Sequence, residues 1–299
     1  MNPHTLNRRQ ALITGVAAGT WSYCIQLPAA EDLKPLEFII VSDTHLGRKD
    51  NTSAEKNWRT AIDEINQQRG EFVLHLGDVV DSGREAQYPI YSESRKKLTK
   101  PIHEIPGNHD PTDLFTKYVA PATDRSFDVG GIRFVLFNNA RRDSHDGFIT
   151  AQQNSWLSSQ CEQAASLNLR IVICCHVPVH SNRNPDRGWY VKPADGQTEF
   201  YATLQKHSER IMACFHGHFH NGIRGWRDHG KTVEVLCPSV CYNQNRSLTE
   251  HIAEGKATGF FVDELRPGFV LVKIGDGQLK MNYKPLTNKP NGEYVADWA

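Results

Sequence analysis

A chain of 299 residues in which 39% are hydrophobic and 23% charged has an ordinary globular composition, which argues against a disordered or membrane-spanning protein. Its 34 basic and 34 acidic residues cancel to zero formal charge, so no overall field draws it to nucleic acid or to an anionic membrane surface. In chain order, the first 30 residues read as an export signal. Arg8-Arg9 precede an apolar run that starts at Ala11, and Leu27-Pro28-Ala29-Ala30 leads into Glu31-Asp32. That order of charge, apolar run and small residues is the pattern of a cleaved leader, and the run falls short of the roughly 20 apolar residues a membrane span needs. The stretch Asn7-Arg8-Arg9-Gln10-Ala11-Leu12 is similar to a twin-arginine signal, with Ala11 where that pattern has Phe. Cleavage near Ala30 and a periplasmic or other extracytoplasmic location are expected, with residues 31–299 forming one domain and no stable membrane span.

Beyond the leader, short apolar segments alternate with helical ones, as in an α/β fold. Strands are predicted at 38–41, 72–76, 102–105, 134–137, 171–175 and 211–215, mostly apolar throughout, as strands covered on both faces should be. Residues 54–68 carry Trp58, Ile62 and Ile65 at helical spacing and stop at Gly70. Thr150 to Gln153 reads as a capping box opening a helix whose inner face is Leu157, Cys161 and Ala164 or Ala165. A weaker helix is expected at 199–206. After His220 the pattern turns to β, with strands at 232–236, 259–262, 269–274 and 279–283 and a hairpin at Gly275-Asp276-Gly277. Of seven cysteines, Cys24 lies in the leader, and the remaining six permit disulfides outside the cytoplasm. Cys174-Cys175 sit in an apolar run, while Cys237 and Cys241 flank a loop. No Cys-x-x-Cys pair offers a thiolate zinc site.

The polar residues fall at the strand ends. Asp43-Thr44-His45 follows the first predicted strand, Gly77-Asp78 the second, Gly107-Asn108-His109-Asp110 the third, His176 the fifth and His216-Gly217-His218-Phe219-His220 the sixth. Open α/β sheets build their sites at these carboxyl ends. Each block alone is weak, but five in this order are specific to metal chemistry.

These blocks resemble the calcineurin-like metallophosphoesterases, whose pattern runs Asp-x-His, Gly-Asp-x-x-(Asp), Gly-Asn-His-(Asp/Glu), a lone His and Gly-His-x-His. The resemblance covers 37 to about 240 and is nearest the branch with class III cyclic nucleotide phosphodiesterases and glycerophosphodiesterases. It implies an α/β fold, a four-layer β-sandwich of two sheets flanked by helices. It also implies a phosphoester hydrolase with two divalent or trivalent metal ions (Fe, Mn or Zn) and a small-molecule phosphodiester or phosphomonoester substrate. By the same resemblance Asp78 bridges the metals, Asp43, His45 and His220 complete one, and Asn108, His176 and His218 the other. A water between them attacks phosphorus in line. His109 protonates or stabilises the leaving oxygen, with Asp110 orienting its ring. Asp81 stands where purple acid phosphatases carry a metal-bound Tyr, and those enzymes lack a counterpart of His45, which argues against an iron–tyrosinate centre. Related nucleotidase or protein phosphatase activities, and a non-catalytic metal-binding scaffold, are the alternatives; a scaffold would have lost ligands, and all are present.

Several neighbours of these blocks carry two readings. His180 is either a loop histidine or near the site, and His216 supports the ligands or is simply buried. Arg141, Arg142, Arg183, Arg187, Trp189, Tyr190, Tyr242 and Asn243 suit phosphate and planar substituents, and solvated loops account for them equally.

Overall fold

The computed structural model describes residues 21–26, 33–49, 53–181, 188–226, 229–243 and 266–287. The predicted strand at 259–262, the twin arginines, and Arg183 and Arg187 lie outside these residues.

Two six-stranded mixed sheets stack face to face. The first runs β1 (Trp21–Gln26), β12 (Gln278–Pro285), β11 (Gly268–Gly275), β2 (Leu36–Val41), β3 (Val73–His75), β4 (Ile102–Glu104); the second runs β5 (Arg125–Val129), β6 (Ile132–Leu136), β7 (Arg170–Cys174), β8 (Ile211–His216), β10 (Val233–Leu236), β9 (Arg224–Trp226). Strand alternation sorts the apolar residues into layers. Phe38, Ile40 and Leu74 meet Phe134, Val172 and Phe215 between the sheets, while Ile39, Val41 and Val73 face outward. The outward residues of the first sheet are covered by α1 (Ala54–Asn66), α2 (Tyr88–Arg95) and α3 (Thr112–Tyr118), and those of the second by α4 (Ala151–Ser166) and α5 (Gln197–Lys206). The result is the four-layer sandwich that the resemblance implies.

Local chemistry accounts for the element ends. Thr150 caps α4 as predicted: its Oγ1 accepts from the Gln153 N–H at 3.0 Å, and Gln153 Oε1 accepts from the Thr150 N–H at 3.0 Å. The α1 face of Trp58, Ala61, Ile62 and Ile65 is fully buried, and each of its large side chains contributes about 1.5–3 kcal/mol by leaving water. Asp276 and Gly277, at φ 52° and 69°, form a two-residue turn between β11 and β12. β11 pairs antiparallel with β2, Val270 opposite Ile40, so the C-terminal strands complete the first sheet.

α2, α3, β5 and β9 have no counterpart among the elements expected from the sequence. Pro89 in the first turn of α2 reads as a breaker although it is tolerated there, and β5 is only partly buried, without an apolar run. Trp21–Gln26, inside the expected leader, pair with β12 at the edge of the first sheet, Cys24 opposite Lys280. All seven cysteines are free thiols. Among the described residues no helix is long and apolar enough to cross a membrane.

Candidate metal centre

The carboxyl ends of β2, β3, β4, β7 and β8 open at one end of the sandwich, where backbone contacts knit their loops together. The Asp43 N–H donates to Gly77 O at 2.9 Å and the Gly217 N–H to His176 O at 3.0 Å. The two sheets meet where the His218 N–H donates to the Asp43 carboxylate at 3.1 Å. Two glycines permit this approach. A Cβ on Gly107 would lie 2.1 Å from Asp78 Oδ1, and one on Gly217 would lie 2.1 Å from Ser42 Oγ and 2.8 Å from Asp43 Oδ2.

Six predicted ligands fall into two buried groups that share one member. Asp43, His45, Asp78 and His220 form one and Asp78, His176 and His218 the other, with a ligand atom from each residue within 4.8 Å of the rest of its group. In the first group His220 Nε2 lies 3.1 Å from Asp43 Oδ1, 3.0 Å from His45 Nε2, and His45 Nε2 is 3.5 Å from Asp78 Oδ2. In the second, His176 Nε2 lies 3.3 Å from the same Asp78 oxygen. The seventh predicted ligand, Asn108, is buried at the end of the loop after β4.

Three candidate ligand atoms in and beside the second group are left over among the described residues. Asn108 Oδ1, His176 Nε2 and His218 Nε2 are buried with no hydrogen-bond partner among the described residues. Buried orphan acceptors are costly, and a cation satisfies all three at once. The opposite ring nitrogens are fixed as metal ligands require. His176 Nδ1 donates to Leu76 O at 2.6 Å, and His220 Nδ1 donates to Tyr242 O at 3.0 Å. The residues present therefore fit a metal centre.

The electrostatics point the same way. Burial alone would raise the Asp43 carboxyl, but the His220 imidazole beside it holds it well below the usual carboxylate range. Asp78, also buried, is held down chiefly by His176 and His109. Against a burial that disfavours its charge, Asp78 pushes His176 up to about 9, whereas burial and the neighbouring His176 hold His218 well below its ordinary value. Carboxylates that draw a proton to these imidazoles would draw a dication in its place.

Backbone conformation at the site was invisible in the sequence. Asp43, His45, Asp78, His218 and His220 have φ of 54°, 46°, 55°, 77° and 51°, a left-handed region that non-glycine residues seldom occupy. Each costs of order 1–3 kcal/mol, and the strand-end turns use it to aim the side chains back across the sheet edge.

The ring of His109 is held not by Asp110 but by the carbonyl of Asp81, which accepts from Nδ1, leaving Nε2 4.0 Å from Asp78 Oδ2. Asp110 is committed to the backbone instead, accepting from the Gly107 and Val79 N–H groups at 3.0 Å each and from Val80 at 3.3 Å. It locks the Gly-Asp loop to the Gly-Asn-His-Asp loop and does not touch the ring. The Asp81 carboxylate lies 3.4 Å from His45 Nδ1 and 3.3 Å from Arg48, whose guanidinium covers the Tyr242 ring at 4.7 Å. Arg48 and the support role of Asp81 were missed, although Asp81 stands inside a matched block. His180 is buried but outside both groups, its ring stacked on Trp226 at 4.9 Å. His216 packs beneath the ligands, its Nε2 3.1 Å from Glu234 Oε2.

His75, also missed, braces the turn before Asp78. Thr44 Oγ1 donates to Val79 O at 3.0 Å, so it accepts from His75 Nε2 at 3.1 Å, while His75 Nδ1 accepts from the Gly77 N–H at 3.2 Å. The ring is thus neutral, and burial pushes its pKa down to about 3. A histidine depressed in the fold adds stability that is full above its unfolded value of about 6.5 and is lost as pH falls toward 3. In metal-free protein, urea titrations from pH 6 to pH 4 are expected to lose up to ~1.4 kcal/mol per pH unit to this residue. His75→Gln should flatten the slope by close to one proton; an unchanged slope would refute a buried neutral His75.

Stacked sheets with paired ligand groups at their carboxyl ends define a metallo-dependent phosphatase architecture. A dimetal phosphatase from Danio rerio has a similar structure, with a TM-score of 0.63 and 13% identity over 83% of this chain and 96% of its own. A purple acid phosphatase from yellow lupin seeds has a TM-score of 0.61 at 13% identity, over 86% of this chain and 52% of its own; at such identities the likeness concerns the fold. The calcineurin-like phosphoesterase profile matches residues 36–222, and the chain belongs to that family. A 3',5'-cyclic-nucleotide phosphodiesterase of a Nostoc species is 24% identical over 252 residues, 80% of this chain and 88% of its own. A glycerophosphodiester phosphodiesterase of Enterobacter lignolyticus is 23% identical over 141 residues, 42% of this chain and 51% of its own.

Proposed function

We propose that this protein hydrolyses small-molecule phosphoesters, diesters foremost, at a two-metal centre. Asp43, His45, Asp78 and His220 hold one ion, and Asp78, Asn108, His176 and His218 the other. The observation that carries this reading is Asp78, whose Oδ2 faces His45 Nε2 at 3.5 Å and His176 Nε2 at 3.3 Å, so one carboxylate serves both groups. Imidazole, carboxylate and amide oxygen, with no thiolate, suit Fe, Mn or Zn. When bound, such ions supply Lewis acidity to the phosphoryl oxygens and a nucleophile at neutral pH. His109, its Nδ1 fixed on Asp81 O, presents Nε2 to the leaving oxygen and donates a proton to it. Relatives named for cyclic nucleotides and for glycerophosphodiesters favour a diester over a monoester.

Chelated protein reloaded with Mn, Zn or Fe should recover hydrolysis of bis(p-nitrophenyl) phosphate as two ions bind per chain, and should cleave p-nitrophenyl phosphate more slowly. Full activity in stripped protein, or two bound ions with neither reporter cleaved, would sink the proposal.

Residues 1–30 carry the twin-arginine-like leader, and residues 31–299 act outside the cytoplasm. Removal of the leader at Ala30 takes β1 away and leaves β12 as the sheet edge. The N-terminal residue of protein recovered from the periplasm tests this; an intact Met1 there, or no periplasmic protein at all, contradicts it.

A further inference from the structure

β10 is buried along its whole length, and strand alternation gives it two faces. Val233 and Val235 enter the core between the sheets, while Glu234 points to the opposite side, toward α5. There its buried carboxylate takes three donors. Oε1 accepts from the Tyr201 hydroxyl at 2.6 Å, and Oε2 accepts from His216 Nε2 at 3.1 Å and from the His180 N–H at 3.1 Å. Burial alone would raise this carboxyl, but the His216 bond holds it below its ordinary value, so it stays an ionised acceptor.

Two of the three donors belong to the loops that carry the second ligand group. The His216 ring reaches from Glu234 across to the other loop, its Nδ1 3.4 Å from Cys175 Sγ and 3.3 Å from Cys175 O. Cys175 immediately precedes the ligand His176, and His180 follows it by four residues, so the segment that carries His176 is held at both ends from one carboxylate. His216 itself stands two residues before the ligand His218. The third donor, Tyr201, belongs to α5, outside the ligand loops. The first ligand group draws on other supports: the His45 N–H donates to Asp78 O at 3.0 Å and His220 Nδ1 to Tyr242 O at 3.0 Å.

A buried ionic group stabilises a fold no better, as a rule, than apolar side chains of similar volume. What the carboxylate adds is direction, because it fixes donors from two separate loops at set positions, and groups behind metal-binding imidazoles set how those rings are presented. We infer that Glu234 is a positioning residue for the second metal: through His216 and the His180 N–H it holds the loops of His176 and His218 so that both rings face one ion. This rests on the two-metal reading and deepens it by giving the two halves of the centre separate supports.

Calorimetric titration of metal-free, full-length protein with Mn reads the two ions as two binding steps, and the step lost in Asn108→Ala is that of the second group. Glu234→Ala should weaken that step by about 10- to 100-fold and leave the other within about threefold. Glu234→Gln should keep both steps, because its amide oxygen can take the place of Oε2 while its NH2 turns to the Tyr201 oxygen. Tyr201→Phe should lower thermal stability and leave both steps unchanged, whereas a cluster that only stabilised the fold would weaken both steps in every variant as stability fell. Should Glu234→Ala fail to fold, His216→Leu carries the same expectation, since it leaves Glu234 bonded to His180 and Tyr201. A second step of wild-type affinity in Glu234→Ala, equal weakening of both steps, or loss of the second step in Glu234→Gln overturns the inference while the two-metal reading stands. Wild-type protein that takes up no second ion removes that reading and the inference together.

Discussion

Asp78→Asn is expected to lower metal-dependent diester hydrolysis by about a thousandfold or more and to reduce the bound metal from two ions per chain to one or fewer. Among the described residues Asp78 is the one shared by the two proposed ligand groups, and a carboxylate between two cations offsets their mutual repulsion as no neutral side chain can. Loss of that bridge withdraws several kcal/mol of charge stabilisation from the transition state, and ~4 kcal/mol corresponds to about three decades in rate. The substitution isolates charge from shape. Asp78 Oδ1 accepts from the His109 N–H at 2.9 Å, and an asparagine oxygen can accept the same bond, so the loop should hold. Metal analysis alongside the reporter assay checks this result. Two ions retained with wild-type turnover would remove Asp78 from the bridging position.

His109→Asn should leave both metals bound and slow cleavage of alkyl phosphodiesters by about 10²–10⁴-fold, the usual range for a lost general acid. The same variant should cleave p-nitrophenyl diesters at a rate much nearer the wild type, since that leaving group departs as a stable anion without needing a proton. The structural ground is the tautomer. Nδ1 is committed to the Asp81 carbonyl, so the free Nε2, at the edge of the cluster and 4.0 Å from Asp78 Oδ2, is the nitrogen that can reach a leaving oxygen. Burial alone would depress the ring, but Asp78 and the Asp81 carbonyl hold it above its ordinary value, which favours the proton-carrying form. Equal losses on alkyl and p-nitrophenyl esters would instead assign His109 to substrate positioning. Asp110→Asn is the contrasting variant. Its carboxylate secures three backbone N–H groups, so its effect should fall on metal retention and stability and be independent of the leaving group.

Much of the site could be read before folding because metal chemistry restricts residue type. Aspartate, asparagine and histidine recur directly after apolar runs at 43, 78, 108, 176 and 218, and a short buried strand leaves its first polar residue at the sheet edge whatever the rest of the chain does. The helix cap at Thr150 and the β11–β12 turn were legible for the same local reason: both depend on residues within four positions of each other. Elements without such a signature were missed, among them α2 with its early proline and the half-buried β5.

By itself, then, the sequence determined which side chains reach the open end of the sandwich and in what order, since strand length and residue type are local properties. Only the tertiary structure decided which of them meet. His45 and His220 are 175 residues apart in the chain and 3.0 Å apart in space, a proximity set by how the two sheets stack. The same packing sends the Asp110 carboxylate to backbone donors and gives the His109 ring to the Asp81 carbonyl, because buried N–H groups around Asp78 must be satisfied. It also holds five of the candidate ligands in left-handed backbone conformations, whose cost a local stretch of chain would not bear without the surrounding core.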